Sequence, residues 1–299
     1  LHIARADKRL RRVEVFIPDP LRGDDSVTYD FEDEVVAAGV SFPKTIVLRR
    51  RGGVFTISRT VELEVNPALD AAAFAMPAGL TPLPDPYPAR AIGNGLYEIG
   101  QTDNGEWYAQ FLDLGDAVAV FDATLSEEDA TDVVRQIKAT LGAKPIKYVV
   151  LSHAHDDHVA GIGVYVALGA KVVTTRENAA LVTRYANVSS RLDGVSARGR
   201  TPEFVFLDTA PIDIRGTNGR SVTVYRLNGL DHVRPMLVAY YPPARTLLDA
   251  DIYSDTAPFG DDAGRLAAWL RRQGAPPAEW IAGTHHRMLS AREFQAKAA

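Results

Sequence analysis

The sequence contains no cysteine. Disulfides are therefore excluded, and so is any zinc site built on thiolates, although the absence does not identify a compartment. Long apolar runs are also missing. None approaches the roughly 18–20 residues that a membrane-spanning helix needs. Positive charge is in deficit, with 33 Lys and Arg against 38 Asp and Glu and a net charge of -5. That balance gives no sign of a polyanion binder, and no nucleic-acid partner is expected. An initial Met is lacking too, since the chain begins at Leu1. The expectation is that something upstream was removed, whether a signal peptide, a tag or more of the protein. What remains is ordinary: 299 residues with 46% hydrophobic and 24% charged content suit one large globular domain or two smaller ones.

Histidine is scarce, with seven in the chain, yet three of them fall at His153, His155 and His158 beside Asp156 and Asp157. The apolar run at residues 148–151 leads into this cluster. It reads as a buried strand ending in a polar loop, the place where α/β proteins put their chemistry. His153 and His155 are two apart, so in an extended segment they point the same way and can hold one metal ion. Asp157 and His158 follow as the chain turns and can face a second ion. Neutral imidazole and carboxylate oxygen are ligands that zinc takes.

The run His153-Ala-His155-Asp156-Asp157-His158 resembles the signature of the metallo-β-lactamase-fold hydrolases, and the likeness extends over about residues 90–299. A di-iron, oxygen-reducing branch of that family typically has Glu where this chain has His155, so the residue present favours a hydrolytic, zinc-type site. The fold implied is α/β: an αββα sandwich, two sheets face to face with helices outside.

The remaining chain is read around that unit. Residues 1–88 form a small antiparallel β domain with a proline-rich linker, and residues 89–299 the catalytic domain. In the first part, residues 13–17, 44–49 and 54–57 alternate as strands, and Arg51-Gly52-Gly53 signals a hairpin. Residues 61–65 alternate cleanly and predict another strand, while residues 32–38 carry a short helical period. Phe42-Pro43, the charged hairpin, Val65-Asn66 and the segment 74–77 resemble the last strands of the half-barrels of bacterial lipoprotein carriers. That likeness implies an incomplete barrel here and favours a bacterial periplasmic location. Prolines crowd residues 76–90, as at a domain boundary.

From residue 91, strands alternate with helices. Ser126 caps a helix with an acidic first turn, whose apolar face is Ala130, Val133, Val134, Ile137 and Leu141 before Gly142 ends it. Asp122 ends the preceding strand. Residues 187–203 read as a mobile polar loop, of the kind that borders substrate pockets in the family or is plain surface. Residues 280–282 read as the final strand.

The resemblance implies further ligands. His232 lies in a loop past a strand and supplies the third imidazole to the first ion. The family usually has Thr or Ser and then Gly after it; Val233-Arg234-Pro235 here alters the loop and the pocket floor. An apolar pair, two residues and an Asp register Asp251 as the bridging ligand, with Asp249 the rival or a supporting partner. The last ligand is His285, with His286 the alternative. Site one is then His153, His155 and His232, and site two is Asp157, His158 and His285. Two divalent ions about 3.5–4 Å apart, zinc by default with manganese or iron possible, would share a water and make hydroxide at neutral pH. Asp157 would orient that hydroxide. The substrate expected is a small ester-like molecule (lactone, ester or thioester), because esterase-like and lactonase-like branches have this bridging carboxylate. A β-lactam, a phosphodiester, and metal binding without catalysis are the alternatives. The sequence does not fix the oligomeric state.

Overall fold

The computed structural model describes residues 1–75, 88–101, 107–190, 192, 199–254, 259–272 and 274–298. The chain divides into two compact units. One joins Leu1–Leu83 with Val188–Ser196; the other joins Pro84–Asn187 with Ala197–Ala299.

The first unit holds, among the described residues, an antiparallel sheet in chain order: β1 (His2–Ile3), β2 (Leu10–Asp19), β3 (Gly23–Ala37), β4 (Val40–Arg50) and β5 (Gly53–Arg59). β4 and β5 meet at Arg51 and Gly52, both at positive φ (51° and 77°). Such a two-residue turn matches the strand twist, and glycine adopts its second position without a Cβ penalty. Little of this sheet is apolar and buried. Instead, Asp30 on β3 pairs with Arg12 on β2 and with Arg49 on β4, and Asp19 and Asp25 pair with Arg50 and Arg51. These carboxylates are buried while their partners reach solvent. Ser190 belongs to this unit as well and donates to Asp24 Oδ1 at 2.8 Å.

Two expectations fail in this unit. Residues 32–37 are the second half of β3 and Ala38 lies in the turn after it, not in a helix, because Glu32 and Glu34 to Ala37 pair with β4, down to Ala37↔Val40. Long-range ladder bonds override a short helical period. Residues 61–65 form no strand, and Val61 is 98% exposed. Alternation predicts a strand only where a neighbour completes the ladder, and none does so among the described residues. The proline-rich stretch 76–87 and residues 191 and 193–198 of the loop expected at 187–203 lie outside the described residues.

In the second unit, a mixed sheet runs β12-β11-β10-β9-β8-β7-β6 among the described residues, from β6 (Ala89–Gly93), β7 (Leu96–Gln101), β8 (Trp107–Asp113), β9 (Val118–Phe121), β10 (Ile146–Val150), β11 (Lys171–Thr174) and β12 (Glu203–Phe206). A second sheet runs in chain order through β13 (Ile212–Arg215), β14 (Ser221–Leu227), β15 (Met236–Tyr241), β16 (Thr246–Asp249), β17 (Trp280–Gly283) and β18 (His286–Ser290). Their inner faces share one core, in which Leu112, Phe121, Val150 and Val173 meet Val224, Leu237, Ala239 and Leu248. Each of the Val, Leu and Phe side chains among them contributes roughly 1.5–3 kcal/mol on burial.

Helices cover the outer faces. α1 (Glu127–Leu141) begins at Ser126, whose Oγ accepts from Asp129 N at 3.0 Å, and buries Ala130, Val133, Val134 and Ile137. α2 (Asp156–Val159) and α3 (Ile162–Ala167) follow β10, and α4 (Ala179–Ala186) follows β11. On the other side, α5 (Asp261–Leu270) and α6 (Ala291–Lys297) pack Leu266 and Phe294 onto the second sheet. The layers are α, β, β, α. β17 is not the last strand: β18 and α6 follow it, with Ser290 Oγ accepting from Glu293 N at 3.1 Å. No helix among the described residues is long and apolar enough to cross a membrane.

Candidate metal centre

Strand ends build the site. β9 is followed by Asp122, β10 by residues 152–155 and then α2, β14 by the loop to His232, β16 by Asp251, and β17 by Thr284 and His285. Two ligand groups result. His153, His155, His232 and Asp251 bring one donor atom each within 4.8 Å of one another, and so do Asp157, His158, Asp251 and His285. The structure thus brings together all seven residues singled out from the sequence, and Asp251 stands in both groups.

Asp251 is the centre of the arrangement. Its Oδ2 lies 3.1 Å from His153 Nε2, 2.8 Å from His158 Nε2 and 3.2 Å from His232 Nε2, and its Oδ1 lies 3.2 Å from His285 Nε2. Its backbone has φ 51°, a left-handed conformation that a residue with a Cβ keeps only where its surroundings hold it. Asp157 Oδ2 lies 3.3 Å from His158 Nε2 and 3.2 Å from His285 Nε2.

The charges are tuned in opposite directions. Burial alone would raise the carboxyls of Asp157 and Asp251, but the surrounding imidazoles outweigh it and hold both far below the usual carboxylate range. Burial pushes His153 and His155 down, towards the neutral form that ligates metals. His158 goes the other way: burial alone would lower it, yet Asp122 and the two site carboxylates raise it.

Asp122 also organises the inner wall. It accepts from Ser152 N at 2.7 Å, Ser152 Oγ at 2.9 Å and Thr284 Oγ1 at 3.2 Å, and its Oδ2 lies 2.9 Å from His158 Nδ1. Because a carboxylate only accepts, the neutral form of His158, the one that ligates a metal, carries its proton on Nδ1 and leaves Nε2 bare. Ser152 Oγ spends its own proton on Asp122, so it accepts from His153 Nδ1 at 3.0 Å. His153 Nε2 is then also bare, and it is buried without a hydrogen-bond partner. A buried nitrogen lone pair aimed at carboxylates fits a cation between them. The donor set, imidazole with carboxylate, fits a divalent ion of the zinc type. His153 and His158 form the buried wall, and His155 and His232 are exposed. The site is therefore open on one side, as catalytic metal sites are.

Sequence reasoning missed a second support. The loop carrying His232 is tied to α5, where Asp262 accepts from Asp231 N at 2.9 Å and from His232 N at 3.0 Å. Arg265 pairs with both Asp231 and Asp262. Burial would raise Asp262, but these N–H groups and Arg265 leave it lowered. Its clamp is therefore in force above the unfolded value of about 3.9 and is lost as pH falls through the folded one. Asp262→Ala is expected to weaken zinc binding about 10-fold, the low end for groups behind a ligand. Competition with a chromophoric chelator measures it, and an unchanged affinity would rule the clamp out. The Arg234–Pro235 peptide after His232 is cis, and Arg234 Nε donates to Leu230 O at 3.0 Å.

The rivals of the sequence analysis are elsewhere. Asp249 and His286 stand in neither ligand group; they pair with each other, Oδ1 to Nε2, at 2.5 Å.

Residues 109–285 match the sequence profile of the metallo-beta-lactamase superfamily. The chain belongs to that superfamily. As a metallo-beta-lactamase superfamily member with clustered histidines and carboxylates, it is a metal-dependent hydrolase. Among solved structures, a metallo-beta-lactamase from Pontibacter korlensis is 19% identical, with a TM-score of 0.53 over 70% of this chain and 97% of that one. A B3 metallo-beta-lactamase with an active-site glutamic acid is 18% identical, with a TM-score of 0.52 over 71% of this chain and 88% of that one. The metallo-beta-lactamase FIM-1 from Pseudomonas aeruginosa, in its mono-zinc form, is 17% identical, with a TM-score of 0.50 over 72% of this chain and 95% of that one. At these identities the likeness is one of fold. No curated protein matches the sequence.

Proposed function

We propose that this chain is a dinuclear hydrolase of small ester-like substrates: lactones, esters or thioesters. The observation that supports it is the position of Asp251, one carboxylate shared by two imidazole groups. His153, His155 and His232 would hold one divalent ion and Asp157, His158 and His285 the other, with zinc favoured by the donor set over manganese or iron. Bound there, the ions would lower the pKa of a shared water to about 7 and polarise the substrate oxygen. Asp157, kept ionised by His158 and His285, would accept a hydrogen bond from the water and orient it. The exposed side with His155 and His232 admits the substrate, and the buried wall with His153 and His158 keeps the ligands from turning.

The test is a substrate panel on metal-loaded protein: an aryl ester, a lactone, a thioester, nitrocefin and an activated phosphodiester, each with His153→Ala as control. The reading expects an ester-like substrate to be turned over at least about 10²-fold faster by wild type than by the variant, as loss of a catalytic metal ligand implies. Preference for nitrocefin would replace the substrate class with β-lactams, and preference for the phosphodiester would move it to phosphoryl transfer. Equal background rates in both proteins throughout would leave a metal-binding protein without hydrolytic function.

A further inference from the structure

Asp249 and His286 are both 0% exposed, and neither belongs to the ligand groups. Burying a carboxylate against an imidazole is costly, and an apolar pair would fill the same space at less cost. The arrangement around them is fully specified. His286 Nε2 faces Asp249 Oδ1 at 2.5 Å, and its Nδ1 donates to Arg287 O at 3.0 Å. The Tyr253 ring stacks on it with centroids 3.6 Å apart. Asp249 Oδ2 is buried without a partner, so the compensation for that carboxylate rests on His286.

The pair also requires Gly283. A Cβ there would lie 2.1 Å from His286 Nε2 and 2.4 Å from Asp249 Oδ1, so any other residue would displace one of them. Gly283 O is fixed in turn by Gln110 Nε2 at 2.9 Å. β16 and β17 lie parallel with Asp249 opposite Gly283, and the strands end there. Two residues past Asp249 is Asp251; one residue before His286 is His285. Just past the β16–β17 ladder, a long backbone bond runs from Thr284 N to Asp249 O at 3.3 Å.

We infer that the Asp249–His286 pair is a positioning brace that holds the strand ends carrying Asp251 and His285 at the spacing the second metal ion needs. The inference rests on the dinuclear reading above. Asp251 serves both ions, but His285 serves only the second, and His153, His155 and His232 hang on other strand ends. Loosening the brace therefore weakens the second ion more than the first.

The experiment is stepwise titration of metal-free protein with Zn²⁺ against a chromophoric chelator, for wild type, Asp249→Asn, His286→Gln and the double variant. Unfolding of each metal-free protein is followed in parallel. Visible spectra with Co²⁺ report the second site directly. Wild type is expected to take up two ions. Each single variant is expected to weaken the second ion about 10–100-fold with a smaller effect on the first, and the double variant to be no worse than the weaker single one. The Co²⁺ bands assigned to the second addition should shift in the variants. Unchanged affinity for both ions, or equal loss of both, overturns the brace. If His286→Gln does not fold, Asp249→Asn, which keeps shape and one acceptor, decides alone. Uptake of fewer than two ions by wild type would instead overturn the dinuclear reading, so the two failures are told apart.

Discussion

Asp251→Ala is expected to lower the metal content from about two ions per chain to at most one, and to cut hydrolysis by about 10³-fold. Four imidazole nitrogens lie within 3.2 Å of this carboxylate, from His153, His158, His232 and His285. Without it, site one keeps three imidazoles and site two keeps Asp157, His158 and His285, but nothing couples them. Two neighbouring cations would then repel with no anion between them. Elemental analysis of protein purified without added metal gives the first number, and rates on the best ester-like substrate give the second. Asp251→Asn separates charge from shape, because Asn tolerates the left-handed backbone at φ 51° and keeps one ligating oxygen. It is expected to lose less metal than the Ala variant. The metal-free protein has its own signature. Asp251 is depressed in the folded state, so its contribution is present above about 3.9 and is lost as pH falls through the folded value. The Ala variant should therefore show a smaller stability loss on acidification than wild type. One ion or none in wild type, unchanged in the variant, would remove Asp251 from the bridging position.

The first candidate ligands were legible because metal chemistry restricts residue type and spacing at once. Histidines at 153, 155 and 158 after an apolar strand leave few other readings, whereas His232, Asp251 and His285 were reached through the resemblance to the family, with Asp249 and His286 as rivals. The αββα order was legible for a similar reason: β9, α1, β10 and β11 alternate apolar runs with one-sided helical stripes. What could not be read was support. Asp122 looks like any carboxylate at a strand end until the fold brings Ser152, Thr284 and His158 onto it from three separate segments. Asp262 sits in the first turn of α5, where an acid needs no explanation beyond the helix dipole, and only the fold sets it under the His232 backbone. Asp249 and His286 were visible as residues but not as a pair, since their partnership depends on parallel β16–β17 register and on the missing Cβ of Gly283. The failed strand at residues 61–65 makes the converse point, that periodicity describes a surface and not the neighbour that must bind it.

The largest effect on stability and metal binding together is expected from Asp122. Asp122→Ala would strip the acceptor from Ser152 N, Ser152 Oγ, Thr284 Oγ1 and His158 Nδ1, four donors that are all buried. Breaking such a buried charged pair costs about 3–5 kcal/mol, enough to lower the melting temperature by roughly 10 °C or more in a domain of this size. Asp122→Asn is more informative. Its Oδ1 still accepts from Ser152 N, but its NH₂ now faces groups that donated to Oδ2. His158 relieves the conflict by moving its proton from Nδ1 to Nε2, the nitrogen that points at Asp157 and Asp251. Ser152 Oγ then has no acceptor there, and the chain that leaves His153 Nε2 bare is broken as well. One amide thus blocks a ligand in each group, and metal affinity is expected to fall at least 100-fold, at or beyond the upper end for a group behind a single ligand. In the metal-free protein the sign with pH is fixed by His158, which Asp122 raises against the lowering effect of burial. That coupling is fully present below the unfolded value of about 6.5 and is lost as pH rises through the folded one. The stability gap between wild type and Asp122→Asn, measured by urea unfolding without metal, is therefore expected to be wider at low pH than at high pH. A gap that widens with rising pH would show that His158 is not charged beside Asp122. The tautomer is tested separately by nitrogen-15 shifts of the imidazoles at a pH where His158 is neutral: its single proton is expected on Nδ1, and a proton on Nε2 there would overturn the tautomer argument.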